Sequence, residues 1–268
     1  MDANLRARVK TASVGLPLLI AFVGWASERL FGAAIFLLMI AALREYFAMA
    51  FPGRGATQVV GIACGVAVSM VVFLDSAGAA GSWLGVILIG LFSASLFFQI
   101  QRSERTGRLL LTLAGVLYGG FLLPQWVTLF HQPHGRAWVF WVLLVIMMGD
   151  TAAYFVGKRV GRRKLAPKIS PGKTVEGAWG YLAGTLLAGT VGAWVLFDDV
   201  SPLESFFLSL ALGVVGQVGD LFESRLKRLF EVKDSGTVLP GHGGVLDRLD
   251  SLIFPAVLTT AYLRAFHP

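Results

Sequence analysis

The chain has 268 residues, of which 56% are hydrophobic and only 15% charged, with a mean hydropathy of +0.71. Ordinary soluble domains carry about 25% charged residues, so this composition argues against a water-soluble globule, and its apolar content argues against disorder. The formal charge of +7 says less than the placement of the charges, and the single cysteine, Cys64, allows no intrachain disulfide.

A membrane-spanning helix needs about 20 mostly apolar residues. Nine stretches qualify in chain order, at about 11–27, 30–50, 57–74, 83–100, 109–130, 137–157, 177–197, 205–222 and 246–265. The first follows Arg6, Arg8 and Lys10 and could be a signal peptide, but eight further spans behind it favour a retained helix. With the N-terminus inside, 20 of the 23 Lys and Arg fall on the cytoplasmic side, leaving Arg29, Arg136 and Arg264 outside. The expectation is an all-α, polytopic integral membrane protein forming one domain, N-in and C-out by the positive-inside rule. Residues 1–136 read as N-terminal helices serving as scaffold and dimer contacts, and 137–268 as catalytic helices with two long cytoplasmic loops, 158–176 and 223–245. No internal repeat is visible, which weakens an inverted-repeat transporter.

Ionisable groups within spans are costly and are functional candidates by default. Asp150 lies in the sixth stretch, Asp220 near the inner end of the eighth, and Asp247 and Asp250 open the ninth, all toward the cytoplasmic side. Asp247 and Asp250 are three apart and share a helix face; Asp220, Ser224 and Lys227 line another at steps of four and three. Facing carboxylates need a cation, and hard oxygen ligands suit Mg²⁺. The plainer reading makes them ion-pair partners of Arg225, Lys227 or Arg248.

The segment 158–176 carries seven basic residues against Glu176. Its SPGKT stretch is not a Walker loop, because Pro167 stands where that pattern needs glycine. Gly172, Lys173 and Thr174 just before a span could nonetheless cradle phosphate at a helix N-terminus, or the segment could simply anchor topology at an anionic lipid surface. Between Ser224 and Asp250 the chain combines cations (Lys227, Arg228, Lys233, Arg248), carboxylates (Asp234, Asp247, Asp250) and a PGHGG turn. Cations for phosphates, carboxylates for metal and glycines for close backbone approach are what phosphoryl or nucleotidyl transfer requires.

This last stretch resembles the signature of the phosphatidate cytidylyltransferase (CDP-diacylglycerol synthase) family. Its fixed positions are filled by Ser224, Lys227, Arg228, Lys233, Asp234, Pro240, His242, Gly243, Gly244, Asp247, Arg248 and Asp250. The GDTAAYFVGK and SPGKTVEG segments are similar to the family too, so the resemblance covers about the last 130 residues. Two departures, Gly172 where family members often have Lys and Tyr181 where they often have Gly, put only local loop contacts in doubt. The resemblance implies transfer of a cytidylyl group from CTP to phosphatidate in phospholipid biosynthesis, by an inner-membrane enzyme whose active site faces the cytoplasm. It implies Asp220, Lys227, Lys233, Asp234, His242, Asp247, Arg248 and Asp250 as the catalytic set. Ser170, Lys173, Thr174, Ser224, Arg228, Gly243 and Gly244 would contact substrate. Mg²⁺ would be held by Asp220, Asp247 and Asp250 with Asp150, a second metal ion staying open; the protein would be a homodimer in membrane lipid, without nucleic acid. The alternatives are a CTP-dependent polyprenol or dolichol kinase, and a non-enzymatic transporter, which the PGHGG turn does not suit.

Other features weigh less. His131 and His134 are poor candidates for a metal pair, Glu45 reads as structural, and Trp83, Trp126, Trp138 and Trp179 read as interfacial anchors near span ends.

Overall fold

A computed structural model describes residues 15, 17–74, 78–95, 105–237 and 243–267. Helix α1 covers 17–25 and is followed, after two residues, by α2 (Glu28–Ala50), α3 (Gly55–Phe73), α4 (Gly78–Ser95) and α5 (Arg105–Leu117). A π-helical turn (Tyr118–Leu122) leads to α6 (Gln125–Phe130) and the long α7 (Gly135–Val160). A hairpin of β1 (Lys164–Ala166) and β2 (Ser170–Thr174) precedes α8 (Val175–Leu196) and α9 (Pro202–Leu229), and α10 (Leu246–Leu249) and α11 (Ile253–Phe266) end the chain.

Local sequence sets several of these boundaries. Ser201 and Glu204 form a reciprocal capping box with Pro202 in the first turn of α9, and Thr174 caps α8 by accepting from the N–H of Gly177 at 3.1 Å. Six stretches are long and apolar enough to cross a membrane: Glu28–Ala50, Gly55–Phe73, Thr106–Phe130, Gly135–Val160, Val175–Leu196 and Pro202–Leu229. Their surfaces carry bare apolar side chains, Leu37, Val59 and Trp194 among the most exposed. Water would penalise that pattern, whereas hydrocarbon tolerates it.

The ninth stretch differs from its reading as a single span. The chain turns at Asp250–Leu252, and α11 has only 14 residues. At 1.5 Å per residue that is about 21 Å, short of a ~30 Å hydrocarbon core. The fold also departs from pure helix in the basic loop, where β1 and β2 pair antiparallel with Lys164 opposite Thr174. Pro167 and Pro171 bar a helix there, and Pro167 falls in the turn between the strands. The eighth helix runs to Leu229, two turns past its expected end, so Asp220, Glu223, Ser224 and Lys227 share one rigid element. Trp126 and Trp138 are buried rather than interfacial, Trp138 stacking on Phe197 with centroids 4.1 Å apart, while Trp179 is exposed.

The core lies where α2, the π-helical turn, α7 and α11 meet, with Met39, Leu43, Leu122, Trp141, Ile146 and Phe254 fully buried. Helices α7 and α8 form the closest-packed pair, locked by a hydrogen bond from Trp141 Nε1 to Gly189 O at 2.8 Å. Their backbones approach because small residues face the contact. A Cβ placed at Gly180 would meet the Val156 side chain at 2.7 Å. Gly180→Val is therefore expected to lower the thermal midpoint of the detergent-solubilised protein, by overpacking worth about 1–3 kcal/mol. Gly172→Ala, where a Cβ meets nothing within 4 Å, should leave that midpoint nearly unchanged.

Candidate active site

The hairpin is fastened before it can present anything. Glu176, in the first turn of α8, accepts from the N–H groups of Arg162 at 3.0 Å and Arg163 at 3.2 Å, and from Arg163 Nε at 3.3 Å. From the other side, Arg228 Nε on α9 donates to Ile169 O in the hairpin turn at 3.1 Å. Clamped between α8 and α9, β2 directs Lys173 onto Asp220, with Nζ to Oδ2 at 2.6 Å. This pair borders a cavity of about 340 Å³ between α7, α8 and α9, lined also by Asp150, Lys158, Thr174, Tyr181 and Gln217.

A second polar cluster lies at the C-terminal end of α9. Lys227 Nζ sits 2.5 Å from Glu223 Oε2 and 2.6 Å from Asp247 Oδ1. Asp247 Oδ2 accepts from the N–H groups of Ser235 and Gly244, both at 2.8 Å, and lies 2.9 Å from Ser235 Oγ. The same hydroxyl lies 2.9 Å from Glu45 Oε2. Glu45 reaches in from α2 and accepts from the N–H groups of Val245 and Leu246 at 2.8 and 2.9 Å, capping the start of the α10 turn. Gly243, with φ of 79°, supplies the left-handed bend that brings these N–H groups to the carboxylates.

Asp247 lies before the last apolar helix. Burial acts to raise its pKa, but the Lys227 ammonium and the Gly244 and Ser235 N–H groups outweigh burial and hold it at about 2. At the following turn Asp250 moves the other way, raised by burial and by the nearby charges of Asp220 and Glu223.

These contacts sort the sequence-derived candidates. Asp150, Asp220, Lys173 and Thr174 come together around the cavity, and the Asp250 backbone packs on α9 next to Asp220, where a Cβ at Gly219 would meet Asp250 O at 2.5 Å. Ser224 Oγ stands 3.5 Å from Asp220 Oδ1. Asp247 does not join them: one oxygen holds Lys227 and the other accepts the loop donors, so it organises the chain around Ser235 and Gly244. Lys227 likewise holds two carboxylates together, and Arg228 holds the hairpin. Lys233, Asp234 and Arg248 are exposed and Ser170 is partly buried; none lines the cavity, and His242 is outside the described residues.

Reading the sequence missed Glu223, fully buried four residues before Lys227, although the i, i+4 spacing advertises it. It also missed Ser235, which no motif position marks. Tyr181, expected to affect only loop contacts, lies within α8 and lines the cavity. His131 Nε2 lies 3.8 Å from Glu28 Oε2.

Among the described residues no group of three or more His, Cys, Asp or Glu side chains is gathered as a closed metal site. The donors at the cavity are carboxylate oxygens without sulfur or imidazole. That set fits Mg²⁺, which usually takes one or two protein carboxylates and completes its shell with water and substrate phosphates.

The architecture defined by this geometry is that of a helical membrane protein with a cation-lined, carboxylate-bearing cavity. The profile of the cytidylyltransferase family matches residues 6–266, and the chain belongs to that family. It is 34% identical to the phosphatidate cytidylyltransferase of Synechocystis sp. over 97% of both chains. The Brucella suis protein of the same name is also 34% identical, over 96% of this chain and 92% of the relative. Identity to the Bacillus subtilis phosphatidate cytidylyltransferase is 43% over 54% of each chain.

The Glu45 arrangement generates a stability test. Glu45→Ala strands the two N–H donors of Val245 and Leu246 in a buried site, while the Ser235 hydroxyl keeps Asp247 as acceptor, and should cost about 2 kcal/mol, read as a lower thermal midpoint. Glu45→Gln, which keeps one acceptor oxygen, should lose less, and Arg44→Ala, at an exposed neighbour, almost nothing.

Proposed function

We propose that this chain transfers a cytidylyl group from CTP to phosphatidate at the cytoplasmic face of the cell membrane. An oxygen of the lipid phosphate attacks the α-phosphorus of CTP, the bond to the β-phosphate breaks, and CDP-diacylglycerol and pyrophosphate result. The observation that carries this reading is the Lys173–Asp220 pair bordering a cavity in a chain whose near-full-length relatives bear that enzyme's name.

A phosphomonoester carries about −1.5 to −2 charge at neutral pH, so the nucleophile scarcely needs a general base. The obstacle is repulsion from the triphosphate, which favours charge neutralisation and in-line positioning over proton transfer. Lys173 can leave Asp220 for a phosphate oxygen, and Lys158 lines the same cavity. Asp220, with Asp150 and Asp250, would hold Mg²⁺, which when bound draws charge from the triphosphate. Asp247 and Lys227 keep the α9–α10 connection in place rather than touching metal.

Purified protein should release pyrophosphate from CTP only with phosphatidate and Mg²⁺ present, and chelation should abolish release. Asp220→Asn and Lys173→Ala should each lower turnover at least 100-fold while inserting normally, and Arg159→Ala should be much milder. Formation of lipid phosphate and CDP would instead indicate a kinase. Equal mild effects of Lys173→Ala and Arg159→Ala would return the hairpin to the role of a membrane anchor.

The nine-span, N-in and C-out arrangement belongs to this proposal, its ninth crossing requiring the α10 turn together with α11, and it is supported by the 20 to 3 division of basic residues; a homodimeric assembly is proposed with it. In a Cys64→Ala background, Asp198→Cys in the exposed α8–α9 connection should react with an impermeant thiol reagent outside intact cells. Lys168→Cys in the hairpin turn should not react, and its labelling from outside would invert the topology.

A further inference from the structure

Two lysines line the cavity among the described residues, and they differ in what they face. Lys173 is neutralised by Asp220 at 2.6 Å. Lys158, in the last turn of α7, has no carboxylate within ion-pair range among the described residues. Its Nζ stands instead 3.5 Å from Tyr154 Oη and 5.6 Å from the centroid of that ring. Such a contact holds an exposed ammonium only weakly, and a phosphate oxygen can replace it without stranding a carboxylate.

Position along α7 bears on which phosphate that is. Lys158 and Tyr154 both line the cavity and are both exposed, so they stand at its rim rather than its floor. The same two turns of the helix also expose the apolar side chains of Phe155 and Val160. An amphipathic aromatic, a lysine and bare apolar groups at the end of a spanning helix are the composition of headgroup depth. Asp150 lies eight residues earlier, about 12 Å further along α7 toward the membrane interior. A lipid phosphate is confined to headgroup depth because its acyl chains stay in hydrocarbon, and those chains can lie against Phe155 and Val160. CTP arrives from water and has no chain to place there.

We propose that Lys158 receives the phosphomonoester of phosphatidate at the cavity rim, leaving Lys173 and the carboxylates to the triphosphate and its metal. This rests on the transfer reading of the site and assigns one substrate to one cation. A phosphomonoester carries about −1.5 to −2 charge at neutral pH, so it gains more from the ammonium than a phosphodiester lipid does.

The test compares full-length wild type, Lys158→Gln, Lys158→Arg and Arg159→Ala in mixed detergent micelles. Gln keeps much of the stem without the charge, Arg restores the charge, and Arg159 is a neighbouring cation that does not line the cavity. KM is measured for phosphatidate at saturating CTP and Mg²⁺, and for CTP at saturating phosphatidate. Thermal midpoints are measured alone, with phosphatidate, and with phosphatidylglycerol as the phosphodiester control. Lys158→Gln should raise the KM for phosphatidate about tenfold, the size expected for one hydrogen bond to a charged group, and leave that for CTP within about twofold. It should also lose most of the midpoint shift given by phosphatidate while keeping that given by phosphatidylglycerol, and Lys158→Arg should restore most of both losses. A KM raised for CTP, alone or equally, would overturn the proposal and assign Lys158 to the triphosphate. Equal effects of Lys158→Gln and Arg159→Ala, or equal loss of both lipid shifts, would overturn it in favour of general attraction to an anionic surface. A midpoint without lipid lowered in Lys158→Gln but not in Arg159→Ala would make the ammonium structural and overturn it too. Wild-type protein inactive with CTP and phosphatidate would defeat the functional reading; active wild type with an indistinguishable Gln variant would defeat this inference alone.

Discussion

A charge removed from water must be met by an opposite charge and by hydrogen bonds, or the group costs several kcal/mol. The C-terminal half of this chain is arranged around that requirement. Lys227 stands between Glu223 and Asp247, and Asp247 in turn gathers Ser235 and Gly244. Each contact demands the next. Glu223 and Lys227 need a helix unbroken over their i, i+4 spacing, which α9 provides by continuing to Leu229. Asp247 then needs the loop after α9 to fold back, and the bend at Gly243 permits it. Such a network contributes little net stability compared with an apolar replacement, but losing one member exposes the others. Its return is geometric, because it fixes the segment leading to Asp250 beside the helix carrying Asp220.

Glu45 extends the network across the chain and alters the division of labour between its halves. Residues 1–136 read from sequence as scaffold, yet a carboxylate from α2 caps the α10 turn and shares Ser235 with Asp247. The side chain is buried and accepts from the N–H groups of Val245 and Leu246, much as an acidic group serves a helix N-terminus. The N-terminal helices thus act on the site through the backbone it is built on.

What could be read in the sequence follows from the range of the interactions involved. Long apolar stretches announce themselves without knowledge of neighbours, and six are recovered as helices long enough to span. That Asp150 and Asp220 would border one cavity was legible because shared depth along adjacent helices is itself a statement about space. Asp247 was not separable from them, since spacing shows which residues share a face but not which donors a distant loop brings. Ser235 and Gly244 are those donors. The hairpin was hidden because two strands of three and five residues, rich in Lys and Pro, show no apolar alternation. The split of the last stretch was equally hidden, because a polar turn at Asp250–Leu252 leaves mean hydropathy almost unchanged. Tyr181 is the clearest case. Its meaning depends on Gly149 and Gly216, residues 32 and 35 positions away that make room for its ring.

The cavity carries few cations for a site meant to hold polyanions, and the Lys173–Asp220 pair shows why few suffice. At 2.6 Å the ammonium and carboxylate neutralise each other, so this pair adds no net charge in a medium where uncompensated charge is most expensive. A phosphate entering by itself would free Asp220 as an unpaired carboxylate, and a cation entering by itself would free Lys173. Only when both arrive does each protein charge exchange one partner for another. The same bookkeeping explains why further lysines near the cavity would not help: more fixed positive charge would hold the carboxylates more firmly and weaken their hold on a metal.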